Sequence, residues 1–233
     1  MNTSEINKPQ PTTIRPPRKQ YRFYPTETNT TDNPFGVSDE VIERMKQKPI
    51  MQRPVSCYVR SLVDAGDYNG DLLPLGSWLH ANSPAVKAVR IEPSWIEKMR
   101  LENKLPIFTP CCVLRCVPEI RYFYPINYTC LLDFDIRKDD NPTINFDELK
   151  LELSTLPQIA YCGLATNGID LFCIVPISTP QRYADHVLAL VRQFRESGII
   201  VRANESVTHI RTLSSDPDGY FNENAVEYRG LCQ

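Results

Sequence analysis

The sequence predicts an α+β fold built around a β-α-β-β-α-β sheet domain between residues 129 and 203. Short apolar runs of strand length occur four times in this segment, at the places that this order requires. Two longer segments with helical spacing of apolar residues stand between the first and second runs and between the third and fourth. A Thr-Asn-Gly turn separates the two middle runs, which are therefore expected to pair as a hairpin.

Residues 1–36 are predicted to be a disordered, proline-rich arm, because they contain too few large hydrophobic residues to offset the entropy of ordering the chain. Basic and aromatic residues alternate within this arm: Arg15, Arg18, Lys19, Tyr21, Arg22, Phe23 and Tyr24. Such a cluster can contact nucleic acid through phosphates and stacked bases, but a solvated charge run without a partner is the commoner case. Residues 37–233 are expected to form the folded domain.

Two helices are predicted upstream of the core. The first begins after Ser38, a favourable N-cap residue, and ends before Pro49. The second begins after Ser94, which opens a capping box, and we expect Trp95 and Met99 on this helix to face the core. These elements would extend the core domain towards the N-terminus.

From Lys104 onward the pattern changes to strands separated by two capped helices. The predicted strands occupy residues 105–108, 113–117, 128–136, 159–164, 171–177 and 199–201. Asn145 opens the first core helix; Pro180 opens the second, and Gly198 takes the position after its last turn. This order is typical of ferredoxin-like and RRM-like domains, in which two helices cover one face of an antiparallel sheet and the other face is free.

The composition argues against several classes of protein. A formal net charge of −2 gives no overall attraction to phosphate, so any nucleic-acid contact requires a local basic face. No segment approaches the roughly 20 apolar residues of a membrane span and no signal-peptide core is present, so we expect no membrane partner and a cytoplasmic location. The 8 cysteines are scattered through apolar runs, which favours buried free thiols over disulfides or a zinc site at Cys111, Cys112 and Cys116.

Asp133 and Asp135 are the most prominent candidates for chemistry. They stand two residues apart in a predicted strand, so both carboxylates leave the same side of the sheet. Two hard oxygen donors on a rigid strand suit Mg²⁺ or Mn²⁺, with water and substrate phosphates completing the coordination. By chemistry alone, two solvent-facing aspartates on a half-exposed strand are an equally good interpretation.

Three separate segments resemble, in the correct order, the motifs of one family. Residues 131–136, Leu-Leu-Asp-Phe-Asp-Ile, resemble its first acidic motif, and residues 104–110 resemble the lysine-leucine-proline segment that precedes this motif. Arg211 followed by residues 214–222 is similar to its arginine and Ser-x-Asp-Pro-Asp-x-Tyr-x-Asn ending. The family is the archaeo-eukaryotic primase superfamily, and within it the VirE N-terminal-type primase-like domains of Bacteroides-related mobile elements.

This resemblance implies a primase/polymerase-like domain of a bacterial mobile-element replication system, with DNA or RNA and a nucleoside triphosphate as partners. Asp133 and Asp135 would be the catalytic residues and would hold Mg²⁺ or Mn²⁺. Gly168 would let the backbone approach the nucleotide, and Arg211 would contact a phosphate. Any helicase activity is expected to come from a separate protein.

Two places depart from the family pattern. Phe172 stands where a basic residue would meet the phosphates of the nucleotide, and Ala203 or Asn204 stands where a third metal-binding acid belongs. Two aspartates without a third acid hold two ions poorly, so we expect reduced or absent synthesis. His209 is either a structural histidine or a replacement for the lost basic residue.

Two other functions follow from these departures. The first is a non-catalytic module that docks nucleic acid or protein, and the second is a metal-dependent nuclease or nucleotidyltransferase that uses Glu205 as a further acid. Arg211 has a structural alternative too, a salt bridge to a carboxylate such as Asp216. The Asp-Pro-Asp-Gly sequence from Asp216 is itself typical of a turn, so its acids are expected to be structural.

Overall fold

The computed structural model describes residues 33, 35–59, 70–79, 82–117 and 122–232. Within these ranges the chain has six α-helices and eleven β-strands, so the predicted α+β class is confirmed. Across these same residues, no helix is long and apolar enough to cross a membrane. The basic and aromatic cluster predicted in the N-terminal arm lies outside the described residues.

The helices and strands are numbered in chain order. The helices are α1 (Asp39–Lys46), α2 (Leu75–Leu79), α3 (Pro84–Ile91), α4 (Trp95–Glu102), α5 (Phe146–Thr155) and α6 (Tyr183–Glu196). The strands are β1 (Pro54–Tyr58), β2 (Asp71–Pro74), β3 (Ile107–Thr109), β4 (Cys112–Val117), β5 (Tyr122–Tyr128), β6 (Leu131–Ile136), β7 (Tyr161–Leu164), β8 (Leu171–Pro176), β9 (Arg202–Ala203), β10 (Arg211–Thr212) and β11 (Tyr220–Phe221).

A five-stranded antiparallel sheet with the order β11-β7-β8-β6-β9 lies at the centre of the molecule. β6 lies between β8 and β9, so Asp135 is paired with Phe172 on one side and with Arg202 on the other. Along the chain the elements follow one another as β6-α5-β7-β8-α6-β9. β11 comes from the C-terminal part of the chain and is added beside β7.

Helices α5 and α6 cover one face of this sheet. The buried cluster on that face includes Leu132, Phe134, Ile136, Leu149, Leu153, Val187 and Leu190. Side chains alternate along a strand, so the even-numbered residues of β6 face the helices and the odd-numbered ones leave from the other face. Asp133 and Asp135 therefore lie on the face opposite α5 and α6, as the sequence predicts.

The other face is partly covered by a second layer from the N-terminal half of the chain. This layer contains a four-stranded antiparallel sheet with the order β10-β3-β1-β2. Phe172 and Ile174 of β8 are buried in one cluster with Phe108 of β3 and Trp78 of α2, whose rings stack with centroids 5.4 Å apart. The sheet face opposite α5 and α6, which was predicted to be free, is therefore covered at one end. It is open at the end that carries the two aspartates.

The prediction that Trp95 and Met99 face the core is wrong. The helix begins as predicted, with Ser94 Oγ accepting a hydrogen bond from the Glu97 backbone N–H. However, Trp95 is 65% exposed and Met99 is 37% exposed, and α4 buries none of its residues. A capping box fixes where a helix starts but not which face it buries, and α4 packs beside α3 on the surface.

The last strand of the core begins later than predicted. Residues 199–201 do not belong to it because their backbone groups bond elsewhere. The Ile199 N–H donates to Phe194 O at the end of α6, and Asn141 bonds both to the N–H and to the C=O of Ile200. The strand therefore starts at Arg202, and this places Ala203 opposite Phe134 of β6.

Candidate functional site

Asp133 and Asp135 open onto a cavity of about 830 Å³ at the free end of the central sheet. Asp133 is only 1% exposed, whereas the side chain of Asp135 is 25% exposed. The other charged and polar residues that line the cavity are Glu102, Arg137, Thr166, Asn167, Asp170, Arg202, Asn204, Glu205, His209, Arg211 and Thr212. A ligand in this cavity can therefore meet positively and negatively charged groups, and both hydrogen-bond donors and acceptors.

Arg211 contacts both aspartates. Its Nε atom lies 2.7 Å from Asp133 Oδ2, and its Nη1 atom lies 2.9 Å from Asp135 Oδ1. Arg211 belongs to β10, which pairs with β3 in the second layer, so this contact joins the two layers. The single guanidinium is thus shared between two carboxylates, and the predicted alternative partner Asp216 is bound instead by Lys150 at 2.7 Å.

The Phe172 ring packs against the guanidinium of Arg211. The guanidinium carbon of Arg211 lies 3.9 Å from the centre of the Phe172 ring, the geometry of a cation–π contact. Phe172 is opposite Asp135 in the β6–β8 pairing, which sets the ring directly beneath the ion pair. The Phe172 ring therefore orients an arginine from another strand, a relation that no local sequence pattern indicates.

Three donor atoms meet on the buried side of Asp133. His209 Nε2 lies 2.8 Å from Asp133 Oδ1, and the Cys111 thiol donates to the same oxygen over 3.2 Å. The thiol sulfur, the carboxylate and the imidazole nitrogen all lie within 4.8 Å of one another, a cluster that could hold a metal ion. The sequence prediction contains Asp133 and His209 but assigns Cys111 only as a buried thiol.

The charges around Asp133 and His209 shift their pKa values in opposite directions. Burial would raise the pKa of Asp133, but the charges of His209 and Arg211 and the hydrogen bonds from His209 and Cys111 outweigh burial and hold it well below its usual range. Burial would lower the pKa of His209, but the neighbouring Asp133 carboxylate raises it above its usual value. The pair is therefore stable as a carboxylate facing an imidazolium.

Gly168 lies in the turn between β7 and β8 and is not among the residues that line the cavity. Its φ of +75° explains the glycine, and a Cβ there would meet the Arg90 side chain at 2.8 Å. Arg90 in turn donates from Nη2 to Leu164 O and Ala165 O. The structure thus brings together four of the five predicted site residues, whereas Gly168 is the chain neighbour of Asn167, which lines the cavity.

The positions expected to supply a third acid lie on the cavity. Ala203 and Asn204 line it, and neither has a carboxylate. Glu205, the neighbouring acid, lines it as well. Arg202 is paired with Asp140 at 2.5 Å, whereas the side chain of Arg137 makes no hydrogen bond or ion pair with any described residue. Arg137 is therefore the cavity arginine whose donors are most available to an anion.

The donor set does not fit a pair of magnesium ions. Both oxygens of Asp133 and one oxygen of Asp135 already accept hydrogen bonds from Arg211, His209 or Cys111. Mg²⁺ requires near-octahedral oxygen coordination, so ions between the two carboxylates would have to displace the guanidinium. Two-metal catalysis also needs a further acid. Glu102, Asp170 and Glu205 are the other acids that line the cavity, and both oxygens of Asp170 already accept hydrogen bonds from Lys138 N–H and Asn167.

Comparison of the chain with protein-family models, with curated proteins and with solved structures finds no significant match.

Proposed function

We propose that this chain is a primase/polymerase-like domain that binds nucleotide or nucleic acid in the 830 Å³ cavity without catalysing synthesis. The observation that carries this proposal is the meeting of two segments that resemble primase motifs. Arg211 lies 76 residues beyond Asp135 in the chain, yet both residues line the same cavity and contact each other. Two segments that resemble separate motifs of one family are expected to meet in this way if they form one site.

The arrangement of the central sheet supports the same interpretation. We infer that β6 to β9, with α5 and α6, form a ferredoxin-like or RRM-like core. Numbered within the core, the sheet order β9-β6-β8-β7 is 4-1-3-2, with all neighbours antiparallel and both helices on one face. This is the order of a split β-α-β domain, and it leaves the opposite face of the first strand for a ligand.

Arg137 is the residue proposed to contact a phosphate of the ligand. It follows Asp135 by two residues, lines the cavity and has an exposed side chain. A guanidinium binds phosphate oxygens through two parallel N–H groups, which makes arginine well suited to this role. Arg211, the arginine predicted from the family ending, serves instead to compensate the two aspartates.

A metal-dependent nucleotidyltransferase of a mobile-element replication system is the second candidate function. The partly exposed edge of Asp135 and the presence of Glu205 on the same cavity favour it. In that case Mg²⁺ or Mn²⁺ would enter with a nucleoside triphosphate, and DNA or RNA would be the template. Displacement of Arg211 from the carboxylates would be required first.

Isothermal titration with a nucleoside triphosphate and with a short single-stranded oligonucleotide tests the first proposal. Loss of one charge-assisted hydrogen bond removes about 1.5–3 kcal/mol of binding free energy, so Arg137→Gln is expected to bind at least about tenfold more weakly than the wild type. The matched control is Arg195→Gln, an exposed arginine of α6 on the opposite side of the sheet, which should bind like the wild type.

Absence of binding by the wild type, or equal weakening by both arginine variants, would contradict the proposal.

A primer-synthesis assay with Mg²⁺ and with Mn²⁺ separates the two candidate functions. We expect no incorporation. Incorporation that is lost in Asp133→Asn/Asp135→Asn would establish the enzyme instead, and incorporation that is also lost in Glu205→Gln would identify the third acid.

A further inference from the structure

The cluster on the buried side of Asp133 has the composition of a transition-metal site rather than a magnesium site. It offers one sulfur, one imidazole nitrogen and one carboxylate oxygen from Cys111, His209 and Asp133. Sulfur and imidazole ligands select Zn²⁺ and neighbouring transition metals, whereas Mg²⁺ prefers oxygen alone. The three residues come from separate parts of the chain and are placed together only by the packing of the second layer on β6.

The hydrogen bond at the far side of the His209 ring leaves Nε2 as the nitrogen that can bind a metal ion. His209 Nδ1 lies 3.0 Å from the carbonyl oxygen of Ser206, which can only accept a hydrogen bond, so Nδ1 carries a proton. The other nitrogen, Nε2, then faces Asp133 Oδ1 over 2.8 Å. Two atoms with lone pairs at that distance need a proton or a metal ion between them.

The other two candidate ligands are also oriented by outer partners. Asp133 presents Oδ1 to His209 and Cys111, while its second oxygen, Oδ2, is held by Arg211 Nε at 2.7 Å. The hydroxyl of Tyr183 donates to Cys111 Sγ over 3.4 Å. Ligands of metal sites are characteristically held by such outer hydrogen bonds, which set their orientation and strengthen them as donors.

We propose that Cys111, Asp133 and His209 bind Zn²⁺ or a metal of its class, with the fourth position open to the cavity. Asp133 and His209 line the cavity, so water or a ligand group can reach a metal held by them, while Cys111 closes the buried side. Binding forms three metal–ligand bonds and releases two protons to solvent, one from the Cys111 thiol and one from His209 Nε2. The site does not depend on nucleotide binding.

Cobalt spectroscopy tests this site directly, because a thiolate bound to Co²⁺ gives a charge-transfer absorption that carboxylate and imidazole ligands do not give. Reduced, metal-free protein titrated with Co²⁺ should show this absorption at a stoichiometry of one, and Zn²⁺ but not excess Mg²⁺ should abolish it. Cys111→Ser should lose the absorption. Cys112→Ser is the matched control, since this neighbouring buried cysteine lies outside the cluster and should retain it.

Two further variants keep the test independent of folding defects and of the proposed function. Tyr183→Phe preserves the ring but removes the hydrogen bond to Cys111 Sγ. It should weaken Zn²⁺ binding by about tenfold or more. Asp135→Asn alters the nucleotide cavity but should retain the cobalt spectrum. Absence of the absorption in the wild type, or its persistence in Cys111→Ser, would overturn the metal site and leave the nucleotide proposal unaffected.

Discussion

Asp133 is surrounded by donors although it lies almost wholly inside the protein. His209 and Cys111 contact one of its oxygens and Arg211 contacts the other. A buried carboxylate is costly unless it is paired, and here the pairing comes from side chains of the second layer and of the segment that leads to β4. The stability of the fold and the state of the site therefore depend on the same few contacts.

Removal of Arg211 is expected to destabilise the protein strongly. Arg211→Met removes the guanidinium that pairs with both Asp133 and Asp135. Breaking a buried pair from one side costs about 3–5 kcal/mol of the free energy of unfolding. Urea unfolding measures this loss. The control is Arg202→Met, which breaks an exposed ion pair with Asp140 and should cost far less. Similar losses in the two variants would show that the Arg211 network is not buried in solution.

His186 is a second buried titrating residue, remote from the cavity. Its Nδ1 atom lies 2.6 Å from Gly230 O, and its Nε2 accepts from the Thr179 N–H over 3.3 Å. Burial lowers its pKa below 6.5; Arg182 lowers it further, while the bond to Gly230 and the charge of Asp185 oppose this shift. The neutral ring thus suits both bonds, and a second ring proton would face the Thr179 N–H.

Acidification should therefore weaken the fold through His186. Because its pKa is lower in the folded than in the unfolded chain, its contribution to stability is present above about pH 6.5 and is lost as the pH falls below that value. Comparing urea unfolding at about pH 7.5 and about pH 5.5, we expect His186→Asn to lose less stability on acidification than the wild type. An equal loss in both proteins would contradict the neutral, buried histidine.

At the scale of elements, the turn between β7 and β8 is held in place by contacts from a separate helix. Gly168 has a left-handed backbone, and the Arg90 side chain from α3 lies where a Cβ would project. Arg90 also binds the Leu164 and Ala165 carbonyls at the start of the turn. The turn is thus held both by its own conformation and by a helix of the second layer, which positions Asn167 and Asp170 at the cavity.

Gly168→Ala should therefore cost more stability than the same change at Gly198. Both glycines have a left-handed backbone, which costs an L residue about 1–2 kcal/mol, but Gly198 has no atom within 4 Å of the added Cβ. Thermal or urea unfolding gives the difference between the two variants. In an Arg90→Ala background the excess at Gly168 should vanish; if it remains, the contact with Arg90 is not its cause.

The elements that sequence reasoning predicts well are those with local signals. Asn145 accepts from the Asp147 and Glu148 N–H groups as its capping pattern predicts, and Gly198 follows the last turn of α6. The placement of Trp95 could not be predicted, because helix amphipathicity is weak in α4 and its partner α3 does not bury that side. Short strands such as β9 to β11 have too few residues for any period to be visible.

At the scale of the whole molecule, the site exists because two layers meet. The acidic pair can be predicted from the alternation within one strand, and Arg211 from a resemblance to family motifs. The contact of Arg211 with Phe172 and that of Cys111 with Asp133 depend on how β3, β4 and β10 pack on the central sheet. Such contacts join residues distant in sequence and carry no local pattern, so only the fold reveals them.

The packing also separates two faces with different roles. The face under α5 and α6 is closed by apolar residues, while the opposite face ends in the polar cavity. A ligand recognised by the proposed site should therefore affect one end of one face only. We propose that nucleotide or nucleic acid binds at that end.

Backbone chemical-shift mapping by NMR, during titration with a nucleoside triphosphate and separately with a single-stranded oligonucleotide, tests that claim most directly. We expect the perturbed amides to cluster at Arg137, Asn167, Asn204 and Ile210, which line the cavity, and the amides of α5 to remain unchanged. Perturbations confined to the helical face, or none with either ligand, would contradict the proposed function.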